Sequence, residues 1–333
     1  MPAAVTESQQ NRTGLFSRLL ILLIILCAAV SLPAQVQVVY PYPVQKITLP
    51  VQDTLLRMAY MDARPLDGVN GKTVVLLHGK NFNGYYWKDV INRLTAEGYR
   101  VIVPDQVGWG RSDKPVLQYS FHLLARNTAL LLDSLKINRI ILVGHSMGGM
   151  LAARFTMLYP DRVEKLVLEN PIGLEDYKRF VPFRAADTLI ATERRATHES
   201  YRKYQQSYYP EWKPQYEQYV EAQAEVLSDP AFATIAKVNA LTYQMIYEQP
   251  VCYEWDRIKT PTLLIIGQAD RTVVGKDQLT EEQKKTYGQY PSLGKKTSRQ
   301  IKKSKLVALP GIGHIPHIQD TDLFCKHLLA FIR

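Results

Sequence analysis

Short, mostly apolar runs recur along this chain, separated by stretches whose apolar positions fall at helical spacing. Thr73–Leu77 (TVVLL), 100–103, 139–143, 165–168, 262–266 and 305–309 are four or five residues each, as strands buried on both faces require. Between them lie helical stretches near 85–97, closed by Gly98, near 123–135, and over 147–159, stopped by Pro160. A last helical stretch covers 323–332. Upstream, 36–50 and 55–61 alternate in the manner of an opening pair of strands. Eight strands in this rhythm predict an α/β fold built on a mostly parallel sheet with helices on both faces.

Two segments break the rhythm. Residues 171–260 separate consecutive core strands, the sixth and seventh, by far more than an ordinary connection. They are rich in helix formers and carry ten of the chain's twenty tyrosines: 177, 201, 204, 208, 209, 216, 219, 243, 247 and 253. This insert reads as a helical cap over one end of the sheet, the alternative being a helical domain packed elsewhere. At the N-terminus, Arg12 and Arg18 precede the twelve-residue apolar run 19–30 (LLILLIILCAAV). That is short for a membrane span but right for a signal-peptide core, with Ala29 and Ser31, or Ala34, at cleavage spacing. Cys27 invites a lipoprotein reading, which Leu26 opposes by standing where a small residue is wanted. Residues 1–34 therefore predict a signal peptide and an exported, periplasmic or secreted protein, with an uncleaved N-terminal anchor as the alternative. The expected organisation is a core of 35–170 and 261–333 around a cap of 171–260.

Charge changes the picture little. Of the net +10, residues 271–305 supply +7, with ten Lys/Arg against three acids. That stretch has no nucleic-acid motif and only Tyr287 and Tyr290 as aromatics, so it reads as a solvated surface helix and loop, with no nucleic-acid partner. The three cysteines, Cys27, Cys252 and Cys325, match no metal site and no disulfide framework.

Chemistry concentrates at the ends of the apolar runs. Gly144-His145-Ser146-Met147-Gly148-Gly149 follows one run and opens a helical stretch, the context in which G-x-S-x-G marks an exposed nucleophile on a tight strand-to-helix turn. Such a turn is strained, and Gly144 and Gly148 leave room for backbone to approach closely. A serine hydroxyl needs a base to take its proton. His314, in Gly311-Ile312-Gly313-His314 after the last run, is the candidate, and His317 its rival. The histidine in turn needs a carboxylate, and Gly267-Gln268-Ala269-Asp270 after the 262–266 run supplies one between serine and histidine in chain order. Glu169, ending the preceding run, is the alternative acid.

Together with His78-Gly79 after the third strand and Asp105-Gln106-Val107-Gly108-Trp109-Gly110-Arg111-Ser112 after the fourth, these residues make the chain from about Gln52 to Arg333 resemble the α/β-hydrolases. The resemblance implies an eight-stranded α/β-hydrolase sheet with the cap between strands 6 and 7. It further implies an oxyanion hole from the amides of Met147 and Lys80, scaffold roles for His78 and Asp105, and no metal or organic cofactor. Aspartate at position 146 would have pointed to a dehalogenase or epoxide hydrolase. Serine there predicts an acyl-serine hydrolase of a small-molecule carboxylic ester, thioester or lactone. Carbon–carbon bond hydrolysis, aminopeptidase activity and ligand binding on a retired hydrolase scaffold are the alternatives. The departure from familiar relatives is Lys80-Asn81-Phe82 after His-Gly, where the cationic side chain points either to solvent or into the pocket.

Overall fold

A computed structural model describes residues 38–333 of the chain. The leader, 1–34, lies outside the described residues. The opening strand, expected from position 36, is Val44–Val51 (β1). It turns through Gln52 in the left-handed region (φ 49°) into Thr54–Ala63 (β2), with Val51 opposite Thr54. The remaining strands are Thr73–Leu77 (β3), Arg100–Pro104 (β4), Ile140–His145 (β5), Val163–Glu169 (β6), Thr262–Gly267 (β7) and Ser304–Leu309 (β8). They form one eight-stranded sheet in the order β1-β2-β4-β3-β5-β6-β7-β8. β2 is antiparallel to both neighbours, and every pairing from β4 to β8 is parallel.

The apolar runs are continuous because both faces of the sheet are covered. Val75, Leu77, Leu142, Leu166, Leu168, Leu264 and Ile266 feed one core layer, while the intervening Val74, Leu76, Ile141, Val143, Val167, Leu263 and Ile265 feed the other. Helix α1 (Lys88–Ala96) covers the second layer. Helices α2 (Phe121–Ser134) and α3 (Met147–Leu158) cover the first. The helix expected near 85 begins later, because Asn83 caps a 3₁₀ turn, Gly84–Trp87, before α1 starts.

Between β6 and β7 the insert forms α4 (Ala186–Glu193), α5 (His198–Gln206), α6 (Glu217–Ala224) and α7 (Phe232–Glu248). It is not a domain apart, since all the described residues belong to one compact unit. Most of its tyrosines are buried, and Tyr208, Tyr209, Tyr216 and Tyr219 join the core layer of the sheet itself. After β7 come α8 (Glu281–Thr286) and α9 (Tyr290–Gln300), and after β8 come α10 (Pro316–Gln319) and α11 (Thr321–Ile332), which closes the second layer. No helix among the described residues is long and apolar enough to cross a membrane.

Sheet order fixes where chemistry can assemble. From β3 the chain winds outward to β4 and then returns to β5 on the other side, so the C-terminal ends of β3 and β5 flank a switch point, where open α/β sheets bind ligands. The turns carrying Lys80 and Ser146 leave these neighbouring ends, where Leu77 pairs with Gly144.

Candidate active site

Ser146 stands between β5 and α3 with φ 56° and ψ −120°, a conformation non-glycine residues rarely hold. Such a backbone costs about 1–3 kcal/mol and persists only when its surroundings fix it. The glycines on either side are required by contact. A Cβ at Gly144 would lie 2.2 Å from the Gly148 carbonyl oxygen, and one at Gly148 would lie 2.2 Å from that of Leu77. The Ser146 amide donates to the Glu169 carbonyl (3.1 Å), and its carbonyl accepts from Gly149 and Ile172.

The loops after β7 and β8 bring in the other two expected groups. His314 Nδ1 lies 2.7 Å from Asp270 Oδ2, and His314 Nε2 lies 3.0 Å from Ser146 Oγ. Since an ionised carboxylate only accepts, the Asp270 bond puts the proton on Nδ1 and leaves Nε2 to accept from the serine hydroxyl. All three residues are buried. Burial works against the Asp270 charge. The His314 ring, with hydrogen bonds from Asn170 Nδ2 (2.7 Å) and the Thr272 amide (2.8 Å), outweighs it and holds the carboxyl below its ordinary range.

The rival residues pair with each other instead. Glu169 Oε1 accepts from the His317 amide (2.8 Å), and both its carboxylate oxygens lie 2.9 Å from His317 Nδ1. The His317 ring stacks on Trp87 at 4.1 Å. Burial lifts Glu169 to about 7 and pushes His317 well down. This pair stands behind the serine turn and makes no hydrogen bond to the Ser146 hydroxyl or the His314 ring.

His145 fastens two loops. Its Nε2 lies 2.9 Å from the His314 carbonyl and so carries the proton, which leaves Nδ1 to accept from Tyr86 (3.1 Å). The Tyr86 hydroxyl itself accepts from the Gly79 amide (2.8 Å). His78 and Asp105 are scaffold. His78 Nε2 accepts from the Gln106 amide (3.0 Å), while Asp105 accepts from the Gly84 (2.6 Å) and Arg111 (2.7 Å) amides and from the Tyr40 hydroxyl (2.8 Å).

Met147 is the first residue of α3, so its amide is one a helix leaves without an internal partner. The turn after β3 abuts the serine closely: a Cβ at Gly79 would lie 3.2 Å from that of Ser146. Trp109 Nε1 donates to the Lys80 carbonyl (2.6 Å) and fixes this turn, and the Lys80 amide donates to no group among the described residues. Two unpaired amides beside a buried serine and histidine form a place where negative charge can develop on a bound carbonyl oxygen. The Lys80 side chain does not run out to solvent. It is 18% exposed, with Nζ 4.0 Å from Glu193 Oε1 of α4, so it meets the cap.

Three contributing residues have no role that the sequence pattern assigns. Asn170, at φ 36°, donates to Asp270 Oδ2 and accepts from the Gly267 amide (2.9 Å), bracing the carboxylate. Tyr208 and Asn81 meet across the site, Asn81 Nδ2 donating to the tyrosine hydroxyl (2.9 Å). Cys252 and Cys325 are free thiols that burial pushes up to about 11 and about 12, which suits inert groups.

Residues 72–321 match the model of the alpha/beta hydrolase fold family. The chain is 45% identical to a probable hydrolytic enzyme from Pseudomonas aeruginosa PAO1, whose crystal structure superposes with a TM-score of 0.86 over 89% of this chain and 96% of that one. It is 34% identical to a 2-hydroxy-6-oxononadienedioate/2-hydroxy-6-oxononatrienedioate hydrolase from Burkholderia vietnamiensis over 66% of this chain and 77% of that protein. A haloalkane dehalogenase from Mycolicibacterium paratuberculosis is also 34% identical, over 39% of this chain and 44% of that protein.

Proposed function

This chain belongs to the alpha/beta hydrolase fold family and is a hydrolase, and on that premise we propose that it cleaves a small-molecule carboxylic ester, thioester or lactone through an acyl-serine intermediate. One observation carries the reading: the buried relay from Ser146 Oγ through His314 to Asp270, with spacings of 3.0 and 2.7 Å. His314 Nε2 takes the hydroxyl proton as Ser146 Oγ attacks the carbonyl carbon. Asp270 holds the resulting imidazolium, and the amides of Met147 and Lys80 donate to the oxyanion. The imidazolium returns its proton to the leaving oxygen or sulfur as that bond breaks. Water, deprotonated by the same nitrogen, then releases the acid and restores the serine.

Serine at position 146 argues against the halide displacement named for the dehalogenase relative, which calls for a carboxylate there. A second reading, carbon–carbon bond hydrolysis, is favoured by the 34% identity with the Burkholderia dienedioate hydrolase. A panel of 4-nitrophenyl esters graded by acyl length and charge, run beside a vinylogous 1,5-diketone, separates the two. Ester turnover that falls roughly 10³-fold or more in Ser146→Ala supports the first reading. Diketone cleavage that far exceeds ester cleavage supports the second. We further propose export, on the strength of the apolar run 19–30, which lies outside the described residues. A mature N-terminus near position 32 or 35 in an extracytoplasmic fraction is the expected result, and a soluble cytoplasmic chain beginning at Met1 would contradict it.

A further inference from the structure

We infer that Tyr208, carried by the cap, is a positioning residue for this reaction: it holds the His314 imidazole and the turn bearing the Lys80 amide in register with one another. The inference rests on the acyl-serine reading above and adds to it a role for a residue that touches neither the serine nor the carboxylate.

Three separate contacts converge on this tyrosine. Its main-chain carbonyl accepts from the His314 amide at 2.7 Å. Its ring stacks on the His314 imidazole, with centroids 4.9 Å apart and planes 28° apart. Its hydroxyl accepts from Asn81 Nδ2 at 2.9 Å, and Asn81 directly follows Lys80. The approach is close enough to dictate sequence, because a Cβ at Gly313 would lie 2.2 Å from the Tyr208 carbonyl oxygen. Phe82, on the same turn as Asn81, packs against the ring at 6.0 Å.

Packing alone does not account for this arrangement. A tyrosine buried only for its apolar area needs one hydrogen-bond partner for its hydroxyl, and any nearby carbonyl serves. Here the hydroxyl is satisfied by the turn after β3 and the carbonyl by the loop after β8, two segments held to opposite sides of the serine. The ring covers one face of the imidazole at 28° and so limits its swing about the Cβ–Cγ bond, favouring the orientation in which Nε2 meets Ser146 Oγ. A chain of bonds behind the site, from the Gly79 amide through Tyr86 and His145 to the His314 carbonyl, ties the same two segments from the other side. Base and oxyanion donors are thus clamped twice, once from the core and once from the cap. Tyr204, one turn earlier on α5 and 45% exposed, meets the Tyr208 ring edge-on at 5.4 Å.

The test is steady-state hydrolysis of 4-nitrophenyl butyrate, with the rate of Ser146 labelling by a fluorophosphonate measured in parallel. Because small misplacements of a catalytic base are costly, Tyr208→Leu is expected to lower kcat by about 10- to 100-fold while KM changes less than about threefold. Tyr208→Phe keeps the stack and removes the hydroxyl, and with it the Asn81 bond. It is expected to lower kcat by about 3- to 10-fold, Asn81→Ala by a similar factor, and the double variant by about as much as the worse of the two, since each breaks the same Asn81–Tyr208 link. Labelling should slow in proportion to kcat. Unchanged kcat with raised KM would make Tyr208 a pocket wall, and multiplying losses in the double variant would break the link to Asn81. Either result overturns the inference. Should Tyr208→Leu fail to fold, the Phe and Asn81 variants decide alone. Failure of the wild-type protein to label at Ser146 would instead remove the acyl-serine reading on which the inference stands.

Discussion

Asp270 and Glu169 are both buried carboxylates at strand ends, and each faces a histidine, yet their neighbours give them different work. Asp270 takes bonds from Asn170, Thr272 and His314, so its charge is held and directed at the ring that meets the serine. Glu169 is lifted to about 7 by burial and bonds a histidine that makes no contact with the serine hydroxyl. Asp270→Asn is therefore expected to lower kcat roughly 10³- to 10⁴-fold, whereas Glu169→Gln stays within about tenfold of the parent. Initial rates on one ester decide it, and the reverse order would move the acid to β6. Ser146, Asp270 and His314 were legible because each lies just past an apolar run and the fold's chain order ranks them. Asn170 was not, since its partner stands 100 residues away and an asparagine after a strand marks no chemistry by itself. The direction of the Lys80 side chain was equally hidden, because it is set by Glu193 on a cap helix.

At the scale of elements, strands were the readable part. A run buried on both faces must be apolar throughout, so β3, β5, β6 and β7 announced themselves within a residue or two. Edges were less clear. β1 alternates without a sharp start and begins at Val44, and the stretch near 85 opens as a 3₁₀ turn capped by Asn83. The helical insert between β6 and β7 showed in the length and composition of 171–260, but its tyrosines gave no hint which of them would reach the loops after β3 and β8. The spacing between cap and sheet is tested by Gly313→Ala, whose added methyl would press on the Tyr208 carbonyl at 2.2 Å. Overpacking of this kind costs about 1–3 kcal/mol. The variant is expected to stay folded with a lower melting temperature and a kcat reduced along with the Ser146 labelling rate. A melting temperature and kcat equal to the parent's would mean the two segments have room to part.

For the molecule as a whole, the buried ionisable groups behind the serine turn set a pH signature. Burial raises Glu169 from its ordinary 4.5 to about 7, and it lowers His145 from 6.5 to about 3. A carboxyl whose pKa is raised by folding contributes stability that is fully present below 4.5 and lost as pH rises through about 7. A histidine whose pKa is lowered does the opposite, contributing above 6.5 and losing that contribution as pH falls toward about 3. Between pH 7 and 4.5 the two oppose each other in the parent protein. Glu169→Gln removes the acid-side compensation, so its unfolding free energy should fall more steeply than the parent's over that window. Urea midpoints at pH 7 and pH 4.5 read this out, and parallel slopes for the two proteins would contradict it.

The central claim is that hydrolysis proceeds through an acyl group on Ser146, and trapping that species tests it most directly. The protein is mixed with excess 4-nitrophenyl butyrate, quenched in acid within one turnover, and its intact mass and proteolytic peptides are measured. The account predicts a single butyryl adduct confined to the peptide bearing Ser146, absent from Ser146→Ala. Turnover of the ester with no such adduct, or an adduct carried equally by Ser146→Ala, would contradict it.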